Sequence, residues 1–225
     1  MITQQVEADV SGIDVNMGCP KSFSLKGGMG AALLSHPEKV REILTKLVSS
    51  VKIPVTCKIR LLPTMEETLH LVDIIQDTGV VALAVHGRTK DQRQQHVNDV
   101  QAIKTIAEHC TKIPIIANGG SSNNRNSATN TYSGIREFWR RSGASSVMIA
   151  RGAEWNPSIF RAGDKDDVMT MIDKYLDYAI HYDYPFNIVK YCVQQLLGSM
   201  QDSDLGRNFL NSATMQDLCN VFDHG

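Results

Sequence analysis

The chain has 225 residues, of which 42% are hydrophobic and 21% are charged, and its formal net charge is −1. This profile is typical of a soluble globular protein with room for one large domain and a smaller one, and it excludes a largely disordered chain. No apolar run approaches the roughly 18 residues of a membrane-spanning helix, and the start of the chain lacks the features of a signal peptide. We therefore expect a cytoplasmic protein without a membrane partner.

The cysteines favour neither a disulfide framework nor a metal site. They are odd in number and widely separated, they form no CxxC pair, and no histidines follow at a matching spacing. The five are Cys19, Cys57, Cys110, Cys192 and Cys219. We expect a reducing compartment and no bound metal.

Short apolar runs alternate with helical segments from the start of the chain to about residue 153. Five runs rich in valine and isoleucine, bounded by glycine or proline, are predicted to be strands buried on both faces: residues 12–18, 53–61, 81–89, 113–120 and 145–153. The spacing of apolar residues predicts helices over residues 37–50, 65–77, 99–110 and 133–142. This βα repeat indicates a parallel sheet, either doubly wound or closed into a TIM barrel.

Polar residues at the carboxyl ends of the predicted strands favour the (β/α)8 TIM barrel, which builds its active site there. They are Asn16, Lys58, Arg60, His86, Arg88, Asn118 and Arg151. Residues two apart in a strand share a face, so Lys58 and Arg60 should point the same way, as should His86 and Arg88. Only five βα units can be identified where a barrel has eight, so we expect that the N-terminal strands are missing and that the strand near Val15 is an unpaired edge.

The pattern changes in the last third of the chain. Residues 121–133 form a polar, asparagine-rich loop that we expect to be mobile. After Pro157, two amphipathic helices are predicted without a strand between them. Their predicted buried faces are Val168, Met171, Ile172, Tyr175, Leu176 and Ala179 in the first, and Ile188, Tyr191, Cys192, Gln195 and Leu196 in the second. We therefore divide the chain into a barrel domain, residues 1–161, and a small all-α domain, residues 162–225.

Charge is distributed unevenly between these parts. Residues 161–225 hold five basic and ten acidic residues, a net charge of −5, and residues 1–160 have a net charge of +4. If nucleic acid is a partner, its basic footprint should lie in the first part.

Two strand ends carry glycines that could admit a phosphate. Gly119 and Gly120 follow the fourth strand, and Gly152 follows the fifth beside Arg151. Glycines let backbone N–H groups approach an anion closely, and barrels commonly bind phosphate in these loops. Each glycine could also mark a plain structural turn.

Three further residues could carry chemistry, and each has a structural alternative. Lys58 is costly to bury without a partner, so it belongs either to a structural salt bridge or to a site where it faces the electron-rich ring of a reduced flavin. His86 could contact the same ring or be a core histidine. Cys19, between Gly18 and Pro20, could donate a proton to a carbon centre or be a small buried apolar residue.

Six segments, in this order, resemble the tRNA-dihydrouridine synthases. They are GIDVNMGCPK, KGGMGAALL, PVTCKIR, AVHGRT, IPIIANGG and SSVMIARGAEWNPSIF. The resemblance covers residues 10–200 and is closest to the eukaryotic cytosolic type that acts at uridine 20 of the tRNA D-loop. It implies an FMN-dependent TIM barrel followed by a helical tRNA-recognition domain, and an oxidoreductase in which NAD(P)H reduces FMN.

The resemblance also implies a role for each site residue. In this family the reduced flavin passes a hydride to C6 of the uracil while a cysteine protonates C5. Cys19 would be that acid and Asn16 would hold the uracil, with Arg60 and Arg88 near the target base. Lys58 and His86 would contact the flavin ring, and Asn118, Gly119, Gly120, Arg151 and Gly152 would hold the FMN phosphate.

The sequence departs from the family in ways that leave alternatives open. The missing first strands should weaken FMN binding, and the loop after Arg88 lacks the tyrosine and glycine of many bacterial relatives. Animal members also carry a further RNA-binding domain after the helical one. We expect a monomer that binds tRNA weakly. The alternatives are another FMN-barrel oxidoreductase acting on free dihydropyrimidines, and a catalytically inactive fragment or isoform with a binding role only.

Overall fold

A five-stranded parallel sheet forms the framework of the first part of the protein. The computed structural model describes residues 5–93, 95–122 and 124–224. The strands are β1 (Ile13–Asn16), β2 (Val55–Leu61), β3 (Ala82–Thr89), β4 (Ile115–Asn118) and β5 (Ser146–Met148). They pair in chain order, and every pair is parallel. The predicted α/β class and all five predicted strands are confirmed, and β1 is an edge strand of this sheet.

Helices alternate with the strands along the chain. They are α1 (Ser22–Lys26), α2 (Pro37–Val48), α3 (Met65–Gln76), α4 (Val100–His109) and α5 (Tyr132–Ser142). Pro37 opens α2, where its fixed φ suits the first turn. A capping box begins α3: the Glu67 N–H donates to Thr64 Oγ1 at 3.2 Å, and the Thr64 N–H donates to the Glu67 carboxylate at 3.0 Å. The four predicted helices are confirmed, with ends that shift by at most two residues.

Strand β2, which lies between β1 and β3, separates a buried face of the sheet from a polar one. Its residues alternate between buried and partly exposed along the whole strand. Cys57 and Ile59 are completely buried, while Lys58 and Arg60 point to the other face. Full burial of a side chain such as Ile59 contributes about 1.5–3 kcal/mol to folding. The apolar face therefore stabilises the sheet, and the polar face is available for chemistry.

The chain divides into two compact units. The first comprises Met1–Gly120 and Ile135–Ile149, and the second comprises Ser121–Gly134 and Ala150–Gly225. The boundary predicted between residues 161 and 162 falls inside the second unit and remains a prediction. Four helices follow a short α6 (Arg151–Trp155): α7 (Val168–His181), α8 (Phe186–Leu197), α9 (Asp204–Asn211) and α10 (Met215–Val221). In the part of the chain that the structure describes, no helix is long and apolar enough to cross a bilayer.

The core of the second unit lies between α7, α8 and the helices that follow. On α7 the buried residues are Met171, Ile172, Leu176 and Ala179, as predicted. On α8 the predicted face is only partly confirmed: Leu196 is buried as predicted, but Ile188 and Tyr191 are 49% and 55% exposed, and Val189 and Val193 are completely buried in their place. Both stripes have helical spacing, so periodicity alone did not separate them. The valine stripe is the one buried because it brings no hydroxyl or amide into the core.

Candidate active site

One face of the sheet collects the polar residues at the strand ends. The register pairs Asn16 with Lys58, Arg60 with His86, and His86 with Asn118. Paired residues of neighbouring strands point to the same face, and so do residues two apart in one strand. All five side chains therefore lie on one face, which confirms that Lys58 and Arg60 point the same way.

Lys58 lies on this face without a partner. Among the described residues, no hydrogen bond or ion pair involves its ammonium group, so the structural salt bridge finds no support there. Burial, followed by the positive charge of Arg60, lowers the pKa of Lys58, and the carboxylate of Asp14 partly opposes this. An electron-rich or anionic ligand on this face would compensate the desolvated charge.

Arg60 joins two loops. Its Nε donates to the Gly18 carbonyl at 2.7 Å, and its Nη1 donates to the Thr89 and Gln92 carbonyls at 3.0 and 3.2 Å. Burial, followed by two neighbouring arginines, lowers the pKa of Arg60. The guanidinium group thus fixes the loop after β1 relative to the loop after β3.

The loop after β1 holds Cys19 through its backbone. The Asn16 side-chain oxygen accepts from the Gly18 N–H at 3.0 Å, and the Cys19 carbonyl accepts from the Ala31 N–H at 3.0 Å. Gly30 has φ +56°, and a Cβ there would lie 2.7 Å from the Cys19 carbonyl oxygen. Only glycine fits this turn, so the GGMG segment serves to seat the cysteine loop.

Cys19 and Cys57 are in contrasting environments. Cys57 is completely buried, and burial raises the pKa of its thiol to about 12. Cys19 is partly exposed. The alternative in which Cys19 is a buried apolar residue is therefore wrong, and that description fits Cys57 instead.

His86 and Arg88 form a hydrogen-bonded pair at the end of β3. Arg88 Nη1 lies 2.9 Å from His86 Nε2, and Arg88 Nε donates to the His96 carbonyl at 2.8 Å. Because a guanidinium can only donate, His86 Nε2 accepts, and a neutral ring then carries its proton on Nδ1. Arg88 is only 5% exposed, so its visible role is to orient His86.

The end of β4 is tightly packed. Asn118 is 7% exposed and donates from Nδ2 to the Met148 carbonyl at 2.8 Å. Gly119 has φ +101°, and a Cβ at Gly120 would lie 2.5 Å from the Phe138 ring. Side chains at either glycine would be strained or would clash, so these positions require glycine for reasons of packing.

Arg151 and Gly152 belong to the second unit and open α6. The Gly152 N–H donates to Ser121 Oγ at 3.3 Å, so it already has a partner within this unit. Burial lowers the pKa of Arg151, and Glu154 opposes this. Sequence reasoning missed Ser121, because no local pattern marks a serine that bonds 31 residues away.

Asn98 was also missed. Both polar atoms of its side chain are buried and have no hydrogen-bond partner within the described part of the chain, and its oxygen faces Gly87 and Gly119. The only sequence signal was its position before Asp99, which caps α4. Among the described residues, no cluster of three or more potential metal ligands occurs.

The composition of this face fits a flavin. Lys58 offers a cation and Asn98 an amide, both without a partner among the described residues, and His86 offers a ring held by Arg88. A flavin ring has a polar edge of alternating carbonyl and N–H groups and gathers negative charge on reduction. Such a ligand would use each of these three groups.

The fold and the site together define an α/β protein with a thiol loop and a cationic, hydrogen-bonding face at the carboxyl ends of parallel strands. Residues 2–220 match the Dihydrouridine synthase (Dus) family, and the chain belongs to that family.

Three curated relatives illustrate the match. The NAD(P)+ tRNA-dihydrouridine(20) synthase of Schizosaccharomyces pombe is 35% identical over 224 residues, which cover 97% of this chain and 45% of that protein. The corresponding enzyme of Saccharomyces cerevisiae is 32% identical over 200 residues, covering 84% and 51%. A human tRNA-dihydrouridine(20a/20b) synthase-like protein is 34% identical over 179 residues, covering 78% and 53%. The chain thus spans about half the length of the curated relatives that it matches.

Proposed function

We propose that this chain provides the chemistry of a tRNA-dihydrouridine synthase, an oxidoreductase that reduces the C5=C6 bond of uridine 20 in the tRNA D-loop with FMN and NAD(P)H. Family membership and the names of the relatives support the proposal. The observation that carries it is the hydrogen bond from Arg60 to Gly18, which ties the Cys19 loop to the face of Lys58 and His86.

FMN, once reduced by NAD(P)H, supplies the hydride for C6 of the uracil. Lys58 and His86 would hold its ring, because the first is an unpaired cation and the second is a neutral hydrogen-bonding group on the same face. The assignment of the FMN phosphate to Asn118, Gly119, Gly120, Arg151 and Gly152 remains a prediction from the resemblance.

Cys19 would donate the proton to C5 of the uracil. Its thiol is partly exposed, and its loop is fixed by the bonds of Asn16, Ala31 and Arg60. Arg60 bonds to the carbonyl of Gly18, next to Cys19, so its positive charge would stabilise the thiolate that remains after the proton has left. Asn16, the last residue of β1, would hold the uracil, and Arg60 and Arg88 would act near the base chiefly by fixing the loops and His86.

We also propose that the sheet is part of an FMN-binding (β/α)8 barrel and that the helices of the second unit contribute to tRNA recognition. The row of polar residues at the strand ends supports the barrel. Residues 161–225 have a net charge of −5, so they cannot supply much phosphate neutralisation. We expect this chain to bind labelled tRNA with a dissociation constant above about 1 μM at physiological salt, and a submicromolar value would contradict this.

The test is dihydrouridine formation in a tRNA transcript, followed with FMN and NADPH present. Replacing Cys19→Ala should lower the single-turnover rate by about 10²–10⁴, the usual contribution of a general acid, without changing the flavin absorption spectrum. Cys192→Ala is the matched control, since this cysteine is also partly exposed but lies on α8. A transcript with cytidine at position 20 should not react.

Two outcomes would contradict the proposal. Turnover of free uracil or dihydroorotate, but not of tRNA, would indicate a different flavin oxidoreductase. A protein that remains colourless after incubation with FMN and removal of the excess, and that forms no dihydrouridine, would indicate a binding role without catalysis.

A further inference from the structure

The two polar atoms of the Asn98 side chain, Nδ2 and Oδ1, are buried. Neither has a hydrogen-bond partner among the residues that the structure describes. A buried polar group without a hydrogen bond destabilises the folded state, so native proteins rarely keep one without a reason. A ligand that satisfies this amide would be such a reason.

The chain path explains why the amide lies at the strand ends. The Asp99 N–H donates to the Gly87 carbonyl at 2.7 Å, and the Asp99 side chain caps α4 by accepting from the Ala102 N–H at 2.8 Å. These two bonds hold the backbone next to Asn98 between the end of β3 and the start of α4. The fold therefore fixes the backbone that carries the Asn98 side chain.

The amide is next to residues of the candidate flavin site. A Cβ at Gly87 would lie 2.9 Å from Asn98 Oδ1, and a Cβ at Gly119 would meet both Asn98 Oδ1 and, at 2.7 Å, the His86 ring carbon Cδ2. Asn98 is thus wedged against two strand-end glycines beside His86. Its donor and acceptor atoms are those that the edge of a flavin or its hydroxylated chain would require.

Asn130 shows how this protein satisfies an ordinary buried amide. It is 2% exposed, and its side chain accepts from the Ser122 N–H at 3.2 Å and donates to the Ser122 and Asn124 carbonyls at 3.3 and 2.9 Å. The two asparagines are both buried at their amides and differ in their hydrogen bonds. Asn130 is therefore the matched reference for Asn98.

We propose that Asn98 is a flavin-binding residue whose amide turns toward FMN and gains its hydrogen bonds only when the cofactor is present. The inference rests on the proposed function, because it requires FMN on this face. Since both amide atoms are covered by protein in this structure, binding involves a rotation of the side chain. The unsatisfied amide then destabilises the FMN-free protein and favours cofactor binding.

The experiment compares Asn98→Leu with the unsubstituted chain in two measurements. FMN affinity is determined by quenching of flavin fluorescence, and the melting temperature of the FMN-free protein by thermal unfolding. Leucine keeps the branched shape without the polar atoms, so we expect FMN affinity to fall about 10-fold and the melting temperature of the FMN-free protein to stay equal or rise. Asn130→Leu should do the reverse, lowering the melting temperature with no change in FMN affinity.

Asn98→Ala keeps the test decisive if leucine does not fit, because alanine removes the amide without adding volume and should lose the same affinity. Unchanged FMN affinity in a folded Asn98 variant would overturn the inference and leave the proposed function standing. A clear loss of stability in both folded, FMN-free Asn98 variants would also overturn it, because the amide would then have a partner within the protein. Failure of the unsubstituted chain to bind FMN would overturn the proposed flavin site and this inference together.

Discussion

Polar groups have different surroundings in two regions of the molecule. One is the strand-end face of the first unit, formed by Asn16, Lys58, Arg60, His86 and Asn118, and the other is the set of helices in the second unit. In the second unit, two lysines bind groups of the protein itself: Lys190 donates to the Leu210 and Ser212 carbonyls at 2.8 and 2.6 Å, and Lys174 pairs with Asp166 at 3.1 Å. On the strand-end face, Lys58 has no partner among the described residues.

This difference in hydrogen bonding indicates where a ligand is expected to bind. Leaving a buried polar group unpaired lowers stability, and folded proteins tolerate this mainly at functional sites. In the second unit, Arg125, Lys174 and Lys190 are bonded within the protein, which is typical of a structural role. On and beside the strand-end face, Lys58 and Asn98 have no hydrogen-bond partner among the described residues, which is typical of a binding or catalytic role.

Among the variants that test this difference between the two regions, Arg60→Met has the largest expected effect, and it tests whether the strand-end face is organised for chemistry. Arg60→Met removes all three bonds to the Gly18, Thr89 and Gln92 carbonyls and so frees the Cys19 loop. We expect single-turnover dihydrouridine formation to fall about 10²-fold, because displacing a catalytic group by about 1 Å has effects of this size. Arg60→Lys keeps the charge but not the planar set of donors, so its single-turnover rate should lie between those of Arg60→Met and the unsubstituted chain. An unchanged rate in Arg60→Met would show that the loop needs no such anchor.

Replacing Lys58 tests whether its ammonium group destabilises the FMN-free protein. Its folded-state pKa is below the ordinary 10.5, so the unfolded chain holds this proton more tightly. Stability should therefore rise with pH through the interval between the folded pKa and 10.5, and the penalty is fully present below that interval. Lys58→Met should remove this rise and increase the melting temperature of the FMN-free protein at pH 7, while FMN affinity falls about 10-fold.

The measurement for Lys58 is thermal unfolding at pH 7 and at pH 10, with flavin fluorescence titrations alongside. A lower melting temperature of Lys58→Met at pH 7 would indicate that the ammonium has a stabilising partner. The face would then resemble the second unit, and the contrast between the two regions would disappear.

Sequence reasoning succeeded where a short-range pattern determines the structure. The runs of valine and isoleucine bounded by glycine or proline predicted all five strands. The alternation of side chains along a strand also predicted that Lys58 and Arg60 share a face, since period two is independent of the rest of the fold. The shared row of Arg60, His86 and Asn118 required the register between strands, which only the structure gives.

It did not succeed where a contact joins distant parts of the chain. Asn98 lies in a loop without periodicity, and its lack of partners depends on the packing of Gly87 and Gly119 around it. The loop of residues 121–133 is polar, and its expected mobility remains a prediction. Its described part nevertheless bonds to α8 through Arg125, about 70 residues away, and no local pattern encodes such a bond.

Arg125 gives the smallest effect and tests the structural side of the comparison. It donates to the Gln195 and Leu196 carbonyls at 2.6 and 3.4 Å, which satisfies acceptors at the end of α8, and its guanidinium lies 4.7 Å from the centre of the Trp155 ring. Arg125→Met should cost about 1–2 kcal/mol, with about 2–4 °C in melting temperature for each kcal/mol.

The control for Arg125 is Arg140→Met, which removes an exposed arginine that bonds to Glu137 within one helix and should leave the melting temperature unchanged. FMN affinity should be the same in both variants and in the unsubstituted chain. If Arg125→Met instead lost FMN affinity without losing stability, a cation used by the second unit for its own structure would also serve the cofactor. The distinction between a strand-end face that binds the ligand and a second unit whose cations serve its own structure would then be wrong.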